Sequence, residues 1–203
     1  MIDKWAHLGH QLGECFYCGS TSATYVHIPK NASSFIKSCL LGTKDWFHCE
    51  KFITNNQYLI ALRDPIERWV SGMAQFIQAN PQTAWTEEVI FDTITFDDHT
   101  EEQVYFLQSL NLEKDLAKCT FFLVNDSLSS KIFKWQSANF VKWENTAYPT
   151  HNEKFNVGSN TEGRAEIVQR LWTMIDNNPD NLLKLKQHFS LDYELFNSVT
   201  FYD

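Results

Sequence analysis

Residues 24 to 36, Thr-Tyr-Val-His-Ile-Pro-Lys-Asn-Ala-Ser-Ser-Phe-Ile, constrain this chain more than any other stretch. The β-branched and aromatic run Thr24 to Ile28 predicts a short buried strand. It stops at Pro29, and Phe35, Ile36, Cys39 and Leu40 then fall at helical spacing. Between strand and helix sits Lys30-Asn31-Ala32-Ser33-Ser34: one cation, then small and hydroxyl side chains. A helix start leaves backbone N–H groups without partners and carries partial positive charge. Such a turn suits a phosphate, and the lysine adds a full charge. No glycine lies between Ser20 and Gly42, so this is not the glycine-rich nucleotide loop G-x-x-x-x-G-K-[ST].

A second strand, Tyr58 to Leu62, runs into Arg63-Asp64-Pro65, where an Asp cap and a Pro at the first helical position start a helix. Ile66, Trp69, Val70 and Met73 share one face of it. Arg63 can grip a phosphate bidentately, and Ser71, two turns on, can donate one more hydrogen bond. The plainer reading pairs Arg63 with Asp64 or Glu67. A third strand is expected over 120–124. Helices are expected over 100–110, around Val168 to Ile175 and over 191–199, with a weak one near Thr86 to Phe91. Residues 1–20 read as irregular, and 81–98 and 136–162 as loop. Strands separated by helices predict a parallel sheet with helices on its faces. Ligands of such sheets bind beyond the carboxyl ends of the strands, where Lys30 and Arg63 both fall.

The 203 residues are expected to form a single domain, 1–203. Seventeen Lys and Arg against 25 Asp and Glu give a net charge of −8, which disfavours nucleic acid as a partner. An anionic ligand must therefore be held by a few local cations. No apolar run is long enough to span a membrane, and the N-terminal residues lack a signal-peptide pattern. Five cysteines, an odd number, suit a reducing, cytoplasmic setting. His7, His10, Cys15 and Cys18 are the ligand types of a zinc site, but four residues between the pairs is tight, and they are expected unligated. Cys39, Cys49 and Cys119 read as small core residues.

His27 to Phe35 resembles the 5′-phosphosulfate loop of the sulfotransferases, and Arg63 to Ser71 resembles their 3′-phosphate motif. The similarity is greatest to carbohydrate sulfotransferases of the uronyl 2-O type. Asp98-His99 through Gln103 is similar to the family's H-x-x-x-Q segment, and Leu191 to Phe196 to its C-terminal helix.

The resemblance implies a three-layer, P-loop-like α/β fold with a parallel central sheet flanked by helices. It implies transfer of a sulfuryl group from 3′-phosphoadenosine 5′-phosphosulfate (PAPS) to a hydroxyl or amine of a carbohydrate or small metabolite, with no metal. Lys30 would contact the 5′-phosphate and the bridging oxygen. Backbone and hydroxyl groups of Asn31, Ala32, Ser33 and Ser34 would cradle that end, and Arg63 and Ser71 would hold the 3′-phosphate. Lys154 and Ser159, in a late loop with Phe155, would touch the nucleotide. A base must take the acceptor's proton: His48 is the first candidate, with Glu50 and His99 as alternatives. The other reading is a protein of the same fold that binds PAPS or its product without catalysis.

Overall fold

The computed structural model describes residues 15–18, 22–41, 46–49, 57–108, 110, 115–139 and 163–203, with side chains left out at 38–41 and 46–49. Five strands form one sheet: β1 (Cys15–Cys18), β2 (Ala23–Val26), β3 (Trp46–Cys49), β4 (Gln57–Leu62) and β5 (Cys119–Leu123), in the order β3-β1-β2-β4-β5. The β2–β4 and β4–β5 pairs are parallel, as expected. The β1–β2 and β1–β3 pairs are antiparallel, so the sheet is mixed rather than wholly parallel. The expectation that 1–20 is irregular is corrected over Cys15–Cys18. That run is too short to show alternation, and it becomes a strand by pairing with β2 and stacking Phe16 on Tyr25 at 6.3 Å between ring centroids.

Seven α-helices are described: α1 (Ser33–Leu41), α2 (Pro65–Ala79), α3 (Glu87–Thr93), α4 (Leu128–Asn139), α5 (Arg164–Asn177), α6 (Pro179–His188) and α7 (Ser190–Ser198). α4 runs four residues into the segment read as loop, with Leu128, Ile132 and Trp135 buried at helical spacing.

Strand side chains alternate between faces, and the core divides accordingly. Tyr25, Leu59, Ala61 and Phe122 pack with Ile36 of α1 and Leu128, Ile132 and Trp135 of α4. Val26, Ile60, Leu62 and Phe121 pack on the other face with Tyr105, Phe106 and Leu107 and with Leu195 and Phe196 of α7. A third cluster joins Ile66, Trp69, Val70, Met73 and Ile77 of α2 to Ile90, Leu171, Ile175 and Leu185. Trp85 belongs there too, edge-on to Phe76 and Phe96 and donating from Nε1 to the Asn80 carbonyl.

The expected helix over 100–110 is a turn at 97–100 followed by a 3-10 helix, Gln103–Leu107. The physical reason is local. The Thr100 hydroxyl accepts from the backbone N–H groups of Phe96 and Asp97 and donates to the Asp97 carbonyl, closing the turn on itself. The Asp192 carboxylate of α7 takes the N–H groups of Gln103 and Val104, both at 2.8 Å. No helix among the described residues is long and apolar enough to cross a membrane.

Candidate functional site

Parallel pairing of β2 and β4, with Val26 opposite Ile60, brings the loops that leave them side by side. In the first loop Lys30 and Ala32 have φ of 67° and 55°, while Asn31 between them does not share the positive sign. Left-handed residues alternating with ordinary ones turn successive N–H groups toward one concavity, an anion-binding device. Here the alternation is made without glycine, at a backbone cost of about 1–2 kcal/mol per left-handed residue, and the Asn31 N–H donates to the Ile28 carbonyl at 3.3 Å.

The two loops are bolted together by amides. Asn31 Nδ2 donates to the Ala61 carbonyl at 2.7 Å and to Gln103 Oε1 at 2.6 Å. Gln103 Oε1 also accepts from Arg63 N, and its Nε2 donates to the Arg63 carbonyl, at 3.1 and 2.9 Å. Gln103 is held in turn by the buried Asp192. Burial pushes the Asp192 carboxyl up, against the opposing pull of those N–H donors and of Arg68.

The third wall is α2. Its Arg68, Ser71, Gln75 and Gln78 recur at steps of three, four and three residues, a polar stripe opposite the apolar face. Arg68 is fully buried. Its Nε donates to the Pro29 carbonyl at 2.9 Å, Nη1 to the Glu101 carbonyl and Nη2 to the Asp98 carbonyl at 3.2 Å. Burial lowers its pKa to about 10, with Asp192, Glu101, Asp98 and Asp97 acting the other way. It therefore stays charged at neutral pH. Gln75 Oε1 accepts from Lys30 Nζ at 3.1 Å, and Gln78 Oε1 accepts from Arg164 Nε at 2.9 Å. Arg164 Nη1 is buried with no hydrogen-bond partner among the described residues. Lys30 is lowered to about 8, first by burial, then by the neighbouring charges of Arg164, Arg63 and Arg68. Lys30 and the three guanidiniums thus form one electropositive cluster.

The turn at 97–100 completes the site. His99 Nε2 lies 3.0 Å from Gln75 Nε2, and Nδ1 lies 3.1 Å from Asp97 Oδ2 and 3.0 Å from Asp98 Oδ1. The ligand-type atoms of Asp97, Asp98 and His99 lie within 4.8 Å of one another, and hydrogen bonding from Nδ1 accounts for that closeness. Asp97 feels its own partial burial most, yet its pKa is lowered, because hydrogen bonds and charge from His99 outweigh that burial. The turn sits against Gly72 so closely that a Cβ there would stand 2.0 Å from the His99 carbonyl oxygen. Gly72→Ala is accordingly expected to cost about 3 kcal/mol, since backbone rather than a flexible side chain must move. Urea unfolding midpoints of the two proteins measure this, and equal midpoints would contradict it.

Of the residues singled out in the sequence, Lys30, Asn31, Ala32, Ser33, Ser34 and Arg63 lie on the segments that leave β2 and β4, and Ser71 lies on α2. Asn31 is buried and binds the neighbouring loop through its side chain. Arg63 also makes the plainer contact, Nε to Glu67 Oε2 at 3.4 Å, on the surface. Asp64 instead caps α2, accepting from the N–H groups of Ile66 and Glu67 at 3.0 Å. His48 lies on edge strand β3 with its backbone opposite Phe16, two strands from β2, and its side chain is outside the described set. Glu50, Lys154, Phe155, Ser159, His7 and His10 lie outside the described residues, as do the side chains of Cys39 and Cys49. Cys15 and Cys18 are buried and three residues apart on β1, so pleating turns them to opposite faces of the sheet. Cys119 is half-buried, donates to the Asp115 carbonyl and is pushed up to about 11 by burial.

Sequence reasoning missed Arg68, Gln75, Gln78 and Arg164. The three on α2 carried a usable signal, since polar residues at steps of three and four mark a second functional face on a helix already read as amphipathic. Arg164 carried none, because its contact with Gln78 joins residues 86 positions apart. Comparison with protein-family models, curated proteins and solved structures found no match for this chain.

Proposed function

We propose that this protein is a PAPS-dependent sulfotransferase on a P-loop-like fold, acting on a hydroxyl or amine of a carbohydrate or small metabolite. The observation that carries the reading is the pair of cation-bearing loops, Lys30 after β2 and Arg63 after β4, on adjacent parallel strands and locked together through Gln103. PAPS has an anion at each end, and a rigid pair of anion sites selects for such a ligand over one with a single phosphate cluster. Lys30 meets the oxygen that bridges phosphorus and sulfur and stabilises the charge that grows there as the S–O bond breaks. Backbone N–H groups of residues 32 to 34 hold the 5′-phosphate, the Asn31 N–H being taken by the Ile28 carbonyl, and Arg63 and Ser71 hold the 3′-phosphate. The setting proposed is the cytoplasm, a reducing compartment that suits a chain with an odd number of cysteines.

The test is calorimetric. The product 3′-phosphoadenosine 5′-phosphate (PAP) is expected to bind at least tenfold more tightly than adenosine diphosphate. A charge-assisted contact to the extra 3′ group is worth about 1.5–3 kcal/mol. Equal affinities would remove the second anion site and with it the choice of donor.

A further inference from the structure

The chain Lys30–Gln75–His99–Asp97 has its proton positions determined from one end. The charged Lys30 Nζ has no lone pair and can only donate, so the Gln75 atom that faces it at 3.1 Å must be the carbonyl oxygen. That fixes the Gln75 amide and turns its NH2 toward His99 Nε2, 3.0 Å away. An NH2 group can only donate, so Nε2 must be the nitrogen that carries the lone pair. The remaining proton then sits on Nδ1, where Asp97 Oδ2 and Asp98 Oδ1 accept it at 3.1 and 3.0 Å. Three further contacts immobilise the turn. His99 N donates to Asp97 Oδ1, Arg68 to the Asp98 carbonyl, and the Thr100 hydroxyl to the Asp97 carbonyl.

We infer that His99 is the general base of this site, and that Gln75 holds the place of the reacting group between it and Lys30. This rests on the sulfuryl-transfer reading above and deepens it. In the structure one planar amide accepts from Lys30 and donates to His99. In the reaction the sulfuryl group and the acceptor oxygen replace it, with the same polarity at both ends. The acceptor hydroxyl gives its proton to Nε2 as its oxygen bonds to sulfur. The bond from sulfur to the bridging oxygen breaks, and its electron pair stays on the 5′-phosphate of PAP, where Lys30 donates to it. Asp97 holds the imidazole so that the proton is taken at Nε2 and not at Nδ1, and it balances the imidazolium that forms. The charged groups around the ring are Asp97 and Asp98 on its own turn, Arg68 from α2 and Lys30 across Gln75.

Two measurements test this, neither needing the natural acceptor. Nitrogen-15 NMR of the imidazoles in the wild-type protein, with His99 assigned by its absence from the spectrum of His99→Gln, is expected to show the Nδ1–H form at pH 7.5. The Nε2–H form would overturn the inference. Release of sulfate from PAPS, with water as acceptor, is expected to fall at least 30-fold in His99→Gln while PAP affinity stays within threefold. Imidazole in the buffer is expected to restore part of the loss in His99→Ala, a response that a purely structural histidine would not give. An unchanged rate in His99→Gln overturns the base, as does a wild type that binds PAP but releases no sulfate above the spontaneous rate. A wild type that fails to bind PAP at all overturns instead the donor reading on which the inference stands.

Discussion

Arg68→Leu is expected to lower stability by about 3–5 kcal/mol, the range for removing one side of a buried charged network. The guanidinium is fully buried and its donors serve three carbonyls: Pro29 ahead of Lys30, and Asp98 and Glu101 on either side of the His99 turn. Leucine fills much of the volume but withdraws the Arg68 donors from those carbonyls and its charge from Asp192. Lysine keeps the charge yet presents it as a single point, and cannot reproduce a fork that reaches two loops. Arg68→Lys is therefore expected to fall between leucine and wild type. Chemical denaturation followed by tryptophan fluorescence measures both, and a leucine variant as stable as the parent would sink the account. A second consequence is functional. Because Arg68 sets where the Lys30 loop stands relative to His99, PAP affinity should fall in the lysine variant even at temperatures where it is fully folded.

Lys30→Met is expected to reduce PAPS turnover about a thousandfold, the scale for removing one preorganised donor to a developing oxyanion, while making the folded protein more stable. The second effect follows from Lys30's pKa of about 8, against about 10.4 for an unfolded lysine. A group whose folded pKa is depressed below the unfolded value opposes folding wherever both states are protonated, that is, below about pH 8. Between pH 8 and 10 the folded state gives up the proton first, the unfolded state binds more, and wild-type stability rises with pH. Methionine removes the charge at every pH. Its advantage should be greatest at pH 7 and below, about 2 kcal/mol after allowance for residual solvent contact, and should shrink as the pH approaches 10. For a chain of this length that corresponds to about 5 °C in Tm. Parallel melting curves at pH 6.5 and 9.5 give the answer, and a methionine variant less stable at pH 6.5 would contradict it.

The local elements were legible where their signals were local. The β2 run, the β4 run into Asp64-Pro65 and the apolar face of α2 all appear as expected. They depend on side-chain period and on capping groups within a few residues. Lys30 and Arg63 could be placed at one sheet edge from the strand–helix alternation alone. β1 could not be read in that way, because Cys15 to Cys18 is a strand only by virtue of its neighbours. The helix expected over 100–110 failed for a related reason: the Asp192 carboxylate that captures the first N–H groups lies some ninety positions downstream. The surroundings of His99 were the least legible part of the site. His99 meets Lys30 only through Gln75, a partner 24 positions away, and the side chain of His48 lies outside the described residues.

By itself, then, the sequence determined that two cation-bearing loops would leave two buried strands, since strand period, Pro29 and the Asp64 cap are properties of short segments. Tertiary structure alone decided that those loops are joined by Gln103, that Arg68 is a buried brace, and that the Gln75 amide stands between Lys30 and His99. Each is a hydrogen bond between residues far apart in the chain, so its partner is chosen by how α2, the 97–100 turn and α7 pack against the sheet.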